Sequence, residues 1–240
     1  MATVETKTAE TIVITGANRG IGLGLVRCFA AAGHHVVAAC RQPDKAEALR
    51  LVPGAVEIMQ LDVADATSSA AFARQIGTRT IDVLINNAGV MGGNKQGFAN
   101  MDYDAWLRTF EINTLGPFRL TSLLLPNLKQ SKHARVVTIS SQMGAFGLDM
   151  GFGTYAYRSS KSGVSKVMQV LALELKADSI IVCPVHPGWV QTDMGGDAAP
   201  LTVEDSVTHM RATLESVSGV DKRTEVQGQF LNYDGTPLPW

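Results

Sequence analysis

The β-branched run Thr11–Thr15 passes straight into Thr15-Gly16-Ala17-Asn18-Arg19-Gly20-Ile21-Gly22, which opens an apolar-periodic stretch over Ile21–Ala32. This junction constrains the fold more than any other stretch of the chain. A strand must end, the backbone must turn sharply, and a helix must start at once. Glycines permit such a turn and let another group approach the main chain closely. The helix start then offers unpaired N–H groups, where a pyrophosphate is favoured. The spacing Gly-x-x-x-Gly-x-Gly lacks the Lys-Ser/Thr pair of a P-loop, which disfavours a nucleotide triphosphatase. Glycines at a strand–helix turn can also serve conformation alone.

The same grammar recurs along the chain. Further strands are predicted at His35–Ala39, Val56–Gln60, Ile81–Ile85, Arg135–Ile139, Ser179–Pro184 and Gly228–Asn232. Most are continuous apolar runs, as strands covered on both faces should be. Helical patterns lie between them at Asp44–Leu51, Thr67–Gly77, Tyr103–Lys129, Thr154–Lys176 and Thr202–Val217. Gly33 supplies a stop for the first helix, and Thr202 with Asp205 resembles a capping box for the last. Pro117 lacks an N–H and crowds the preceding turn, so the long Tyr103–Lys129 helix should break near Asn113–Gly116. Strict alternation implies a doubly wound α/β fold of the Rossmann type, with about seven parallel strands and helices on both faces. Residues 1–10 read as a flexible polar tail and 11–240 as one domain, since no linker or repeat interrupts them.

Composition excludes several classes. The chain has 240 residues, a net charge of −1 and 18% charged residues, so it has no basic nucleic-acid footprint. No apolar run reaches the ~18 residues of a membrane span, and the N-terminus lacks the apolar core of a secretory signal. Cys28, Cys40 and Cys183 are too scattered for a disulfide framework or a metal knuckle. Neither a metal nor a membrane is expected, and the implied compartment is reducing and cytoplasmic.

Chemistry concentrates in a few positions. Tyr157 and Lys161 stand four apart, on one face of a helix. An ammonium beside a phenol should lower its pKa toward neutrality, making proton exchange with a carbonyl or alcohol oxygen feasible. In isolation such a pair is usually solvated surface. Tyr155 has Ser159 at the corresponding position and suits a pocket wall or cap region instead. At the end of the second strand, an acid would bind a ribose 2′-hydroxyl and repel a 2′-phosphate. This chain has Cys40 and Arg41 there, with Arg19 in the glycine loop, and guanidinium groups suit a phosphate. The lesser alternative is that both are solvated surface charges. His186, ahead of Pro187 at a strand end, reads as a satisfied structural histidine.

Four motifs occur in a telling order: Thr15-Gly16-x-x-x-Gly20-Ile21-Gly22, Asn86-Asn87-Ala88-Gly89, Tyr157-x-x-x-Lys161 and Pro187-Gly188. Together they resemble the short-chain dehydrogenase/reductase family over nearly the whole chain. The tail from Asn232 to Trp240 looks most like its C-factor and sniffer-type carbonyl reductase branch. The resemblance implies an oxidoreductase that moves hydride between NADP(H) and a small-molecule carbonyl or alcohol. By the same resemblance Gly16, Asn18, Arg19, Gly20, Ile21 and Gly22 hold the cofactor phosphates, with Arg41 at the 2′-phosphate. Asp62 and Val63 resemble the adenine-binding pair, and Asn87, Ala88 and Gly89 the turn near the adenosine ribose. Pro187, Gly188, Val190 and Thr192 resemble the segment flanking nicotinamide.

Catalysis is then implied at Asn113, Ser141, Tyr157 and Lys161. Ser141, which precedes x-x-Gly, is preferred to Ser140 for orienting the substrate oxygen. Lys161 would also bind the nicotinamide ribose, and the kinked backbone at Asn113 would hold a water linking Lys161 to solvent. Ser141 could still be a structural strand-end serine, and Asn113 an ordinary helix residue. The Ser141–Tyr157 separation is longer than in many members, implying an extended loop over Ala145–Thr154. Met143, Phe146, Phe152, Tyr155, Trp189 and Met194, with Met91, Leu148 and Met150 nearby, would form an apolar wall suited to a hydrophobic ketone or aldehyde. The family further suggests homodimers or homotetramers through the helices 103–129 and 154–176. A nucleotide-binding regulatory or signalling protein of the same fold is the alternative.

Overall fold

The computed structural model describes residues 9–216 and 226–240. The expected tail over 1–8, and Val217 at the expected end of the last helix, lie outside them. Seven parallel strands form one sheet in the order β3-β2-β1-β4-β5-β6-β7. They are β1 Thr11–Thr15, β2 His35–Cys40, β3 Val56–Gln60, β4 Val83–Asn86, β5 Arg135–Ile139, β6 Ile181–His186 and β7 Leu231–Asn232. The order reverses between β1 and β4, and loops leaving the carboxyl ends on either side of that point diverge to form a crevice.

Alternation along β1 separates two cores. Ile12 and Ile14 face α1 (Gly20–Ala31) and α7 (Val203–Ser216), with Leu25, Phe29, Met210 and Leu214. Val13 faces the other layer, where α3 (Ala66–Ile76), α5 (Gly116–Leu128) and α6 (Tyr155–Glu174) contribute Phe72, Leu120, Leu124, Val164 and Met168. Burial on both faces is why these strands carry no polar stripe.

Helix starts follow local chemistry. Asp65 caps α3, accepting from Thr67 N–H at 2.7 Å and Ser68 N–H at 3.0 Å. At α7 the Thr202 hydroxyl accepts from Asp205 N–H at 3.0 Å and donates to the Asp205 carboxylate at 2.7 Å. Gly33 closes α1 with φ +85°. The stretch expected as one helix over Asp44–Leu51 is instead a 3₁₀ turn, Pro43–Lys45, then α2 at Glu47–Arg50, because Ala46 leaves helical geometry at φ −93°, ψ 55°.

The long helix breaks where Pro117 demands it. α4 (Tyr103–Phe110) and α5 are joined by a π-helical turn, Glu111–Leu115, with Asn113 at its centre. Several strand ends differ from expectation, three of them at the starts of strands. β4 starts at Val83, because Ile81 and Asp82 form the lead-in; Ser179 sits in a turn at φ +58°, so β6 starts at Ile181; and β7 is cut to two residues. β6 also runs through Pro184. Val182 accepts from Gly228 N–H at 2.9 Å and Val185 from Ser140 N–H at 2.8 Å, so Pro184 points its nitrogen toward the short β7 and costs β5 no bond.

Glu10, assigned above to the flexible tail, is anchored. It pairs with Arg135, which is fully buried at the start of β5 and also donates to Leu214 O at 3.0 Å. A buried guanidinium needs its counter-charge, and that requirement orders the residue. No helix among the described residues is long and apolar enough to cross a membrane.

Candidate active site

The crevice begins at the glycine turn. A Cβ on Gly22 would lie 2.2 Å from Gly16 O, and one on Gly16 would lie 2.8 Å from Ala88 Cα, so neither position has room for a side chain. Asn87 staples the turn from β4: its side-chain amide donates to Thr15 O at 2.8 Å and Gly16 O at 3.2 Å. The Thr15 hydroxyl accepts from Asn87 N–H and Ala88 N–H, both at 3.0 Å. At the start of α1, Arg19 makes no side-chain capping bond and the first turn holds no acid. The helix therefore presents uncapped N–H groups beside a bare backbone, with Asn18 and Arg19 exposed and Ile21 partly buried. That donor set suits a pyrophosphate. Among the described residues no group of three His, Cys, Asp or Glu could hold a metal ion.

Arg41 is exposed just beyond β2, with no side-chain partner among the described residues. Arg19 is engaged: its guanidinium donates to Asp193 at 2.7 Å, both groups being largely exposed. That pair joins the glycine turn to the loop after β6, where a Cβ on Gly20 would come within 3.3 Å of Thr192 Cγ2. Asp62 turns one oxygen back to Ala64 N–H at 3.0 Å and sets the other 3.8 Å from Arg108, beside buried Val63. Asn86 lies in the core, with its Oδ1 unpartnered among the described residues.

The other wall is built from β5, α6 and β6. Ser140 is buried in structural bonds, to Ser165 Oγ at 2.7 Å and Lys161 O at 3.3 Å. Ser141 accepts from Met143 N–H at 3.2 Å, and its hydroxyl is near enough to the Tyr157 phenol to favour the ionised form. Lys161, 5% exposed, donates to Ile139 O at 2.6 Å and stands 5.7 Å from the centre of the Tyr157 ring.

Burial pushes the Tyr157 phenol above its ordinary value, and the Ser141 hydroxyl pulls it partly back. This corrects the expectation that Lys161 would lower it. The same burial brings Lys161 down to about 8. Burial first, then the Lys161 charge, pulls His186 down to about 4. His186 is also not the satisfied histidine expected, since its buried Nδ1 has no partner among the described residues.

Asn113, 1% exposed, spends its whole side chain on Val90 and Ser160. It accepts from Val90 N–H at 2.9 Å and donates to Val90 O at 2.9 Å and Ser160 Oγ at 3.0 Å. A Cβ on Gly89 would lie 3.3 Å from Asn113 Oδ1 and 3.5 Å from Lys161 Nζ, so only a bare backbone separates them.

Beyond β6, Pro187 O accepts from the Ser206 hydroxyl at 2.6 Å, and a Cβ on Gly188 would lie 2.3 Å from Leu201 Cδ1. Val190 is buried and bridges to Leu201. The Thr192 hydroxyl is folded into its own turn, donating to Val190 O at 3.3 Å and accepting from Gly195 N–H at 3.1 Å.

The expected apolar wall forms an open mouth. Phe146 and Phe152 are almost fully exposed, Tyr155, Trp189 and Met194 partly so, and Met143 is half-buried. Two contributors escaped sequence reasoning. Gln96 joins the loop after β4 to α6. Trp240 O accepts from Gly147 N–H at 2.7 Å, tying the tail to the mouth.

Comparison with known proteins agrees with this geometry. A family model described as short chain dehydrogenase matches residues 10–200. The C-signal of Myxococcus xanthus is 42% identical over 170 residues, covering 71% of this chain and 99% of that protein. The structure of the carbonyl reductase Sniffer of D. melanogaster superposes with a TM-score of 0.88 at 30% identity, over 97% of this chain and all 100% of that one. An NADPH-bound carbonyl reductase from chicken fatty liver gives 0.86 at 29% identity, over 98% and 100%.

Proposed function

Because the chain belongs to the short chain dehydrogenase family, we propose that it is an NADP(H)-dependent oxidoreductase reducing hydrophobic ketones or aldehydes, or oxidising the corresponding alcohols. One observation carries this reading: a buried phenol, Tyr157, beside Ser141 and overlooked by Lys161, at the carboxyl ends of β4, β5 and β6. The NADPH named with the chicken carbonyl reductase supports the choice of cofactor.

In this reading the uncapped start of α1 and the bare turn Gly16–Gly22 hold the pyrophosphate. Arg41, with Arg19, meets the 2′-phosphate. Asp62 and Val63 border the adenine, Asn87–Gly89 the adjacent ribose, and Pro187, Gly188, Val190 and Thr192 the nicotinamide. When bound, the nicotinamide supplies or accepts the hydride.

The chain's own work is positional and protic. Ser141 donates to the substrate oxygen and fixes it beside Tyr157 Oη. Burial keeps that phenol protonated through the neutral range, the state an acid needs in the reductive direction. Tyr157 gives up its proton as charge develops on the oxygen. Lys161 places a cation next to the resulting phenolate, and the π turn at Asn113 frees main-chain carbonyls for a water that returns the proton. The apolar mouth selects uncharged substrates. We place the protein in the cytoplasm as a homodimer or homotetramer, with exposed Leu107, Leu115, Phe118 and Leu173 on the helices that pair.

The test is oxidation of NADPH and NADH by wild type and Tyr157→Phe over a panel of carbonyl compounds. The variant should lose ~10²-fold or more in kcat. Equal rates would overturn the assignment, and activity confined to phosphorylated or carboxylated substrates would overturn the substrate class. A second reading, a nucleotide-binding signalling protein with little turnover, draws on the C-signal relative. It requires tight NADPH binding with no carbonyl reduced by the wild type.

A further inference from the structure

The helix that carries Tyr157 and Lys161 starts unlike α3, α4 and α7. Its N-cap position, Thr154, is in the left-handed region (φ 47°, ψ 42°) and makes no side-chain capping bond. The Thr154 hydroxyl accepts from Arg158 Nε at 3.0 Å, and no acid occupies the first turn. By contrast α3, α4 and α7 have Asp65, Asp102 and Thr202 at their starts. The first N–H groups of α6 must be satisfied from elsewhere or left bare.

Gln96 satisfies one of them. It lies 61 residues away along the chain, is 6% exposed, and accepts from the Tyr157 N–H at 3.1 Å. The nitrogen of the same amide donates to Met91 O at 2.8 Å and Gly93 O at 2.9 Å. Only this amide orientation pairs an acceptor with the N–H and donors with both carbonyls. The loop itself is pressed against the helix: a Cβ on Gly92 would lie 2.6 Å from Thr109 Oγ1 and 3.3 Å from Ala156 Cβ. One step toward β4, Asn113 holds Val90 by both its N–H and its carbonyl. A continuous bonded path therefore runs from the turn Asn87–Gly89, through Val90 and Met91, to the amide of the residue that bears the phenol.

We propose that Gln96 is a positioning residue for Tyr157: it replaces the missing cap of α6 and locks the first turn to the loop that leaves the Asn87–Gly89 turn. This rests on the reading of Tyr157 as the proton donor. The phenol must meet Ser141 on a different element, so a loose first turn would misplace it while the glycine turn stays intact. A displacement of ~1 Å in a reacting group can cost on the order of 10²-fold in rate. Cofactor affinity should not follow, because Gln96 bonds to Met91, Gly93 and Tyr157 and to none of the residues assigned to the pyrophosphate, the 2′-phosphate or the adenosine ribose.

The test compares Gln96→Met, which keeps the length and volume of the side chain, with Asp65→Ala, which uncaps α3 outside this bonded path. Amide hydrogen exchange is read at the first turn of α6, along with the dissociation constant for NADPH, kcat, KM and the pH profile of kcat/KM. In Gln96→Met the Tyr157 amide should exchange about tenfold faster or more. In the same variant kcat should fall ~10- to 100-fold, the pH profile should shift, and NADPH affinity should stay within about twofold. Asp65→Ala should lose thermal stability with kcat and α6 exchange unchanged. An unchanged kcat in Gln96→Met despite faster exchange, or a parallel loss of kcat and NADPH affinity, would overturn the proposal. Should Gln96→Met not fold, Gln96→Asn, which keeps the amide but shortens its reach, is measured in the same way. Full activity in Tyr157→Phe would instead sink the catalytic reading, whatever the exchange shows.

Discussion

Lys161 Nζ donates to Ile139 O at 2.6 Å while standing 5.7 Å from the centre of the Tyr157 ring, so one of its three N–H groups is held by the end of β5. Burial brings this ammonium from 10.5 down to about 8. Below about pH 8 both folded and unfolded chains hold the proton, and the cost of burying the charge stands in full. Between about 8 and 10.5 the folded chain sheds it first, the unfolded state binds more protons, and stability rises with pH. Relative to Lys161→Met, wild type should therefore gain on the order of 3 kcal/mol across that window. Urea unfolding of both proteins at several pH values measures the gap, and a gap that stays constant would mean the ammonium is not desolvated.

The two adjacent serines should separate cleanly. Ser140 bonds to Ser165 and to the Lys161 carbonyl inside the core, whereas Ser141 faces the phenol. Ser140→Ala should cost about 1–3 kcal/mol of stability with kcat little changed. Ser141→Ala should lose ~10²-fold in kcat with little change in stability. Denaturant melts and steady-state kinetics on the pair decide the matter; reversed phenotypes would exchange their roles.

Cofactor choice should divide unequally between two arginines. Arg41 is free to meet a 2′-phosphate, but Arg19 is already paired with Asp193. Arg41→Ala should raise KM for NADPH ~10-fold or more and leave that for NADH nearly unchanged. Asp193→Asn should tighten NADPH binding a few-fold by releasing Arg19, yet shift stability by less than about 1 kcal/mol, because the pair is exposed. Titration of each variant with both nucleotides reads the effect. Equal responses to NADPH and NADH would reject the 2′-phosphate contact.

What could be read from the sequence was what neighbouring residues enforce. Parallel strands such as Val83–Asn86 and Arg135–Ile139 are buried on both faces and show as apolar runs. Pro117 announces the break that becomes the π turn around Asn113, because its effect reaches only one turn. The Tyr157–Lys161 pair is visible because a helix puts such positions on one face. Burial was not visible, and so the direction of the Tyr157 shift was missed. A phenol beside a lysine looks activated on paper, yet desolvation outweighs a cation directed at Ile139 O. Long-range polar partnerships were equally hidden. Gln96 with Tyr157, Arg19 with Asp193, and Glu10 with Arg135 span 61, 174 and 125 residues, and no periodicity links their members.

The mouth of the crevice gives the last prediction. Phe146 is 90% exposed and Phe152 98% exposed, on the segment between Ser141 and Tyr157 that the sequence marks as extended. Gly151 and Gly153 take φ +79° and +78° with open space where a side chain would stand, so they shape the backbone and do not make room for a neighbour. Gly147 differs, since its N–H is held by Trp240 O and Pro239 packs against it. Met150 O, between the two rings, accepts from Arg158 Nη2 at 2.6 Å, so the segment's backbone is held at two points while its exposed rings are free to fold over an apolar guest. Covering one ring would contribute about 1.5–3 kcal/mol. Phe146→Ala and Phe152→Ala should therefore each raise KM for a bulky aryl ketone by about tenfold or more. KM for a small aliphatic aldehyde, too short to reach the rings, should change little, as should kcat for either substrate. Proportional losses on both substrates would show that the rings support the fold of the loop and leave selection of the carbonyl compound to other residues.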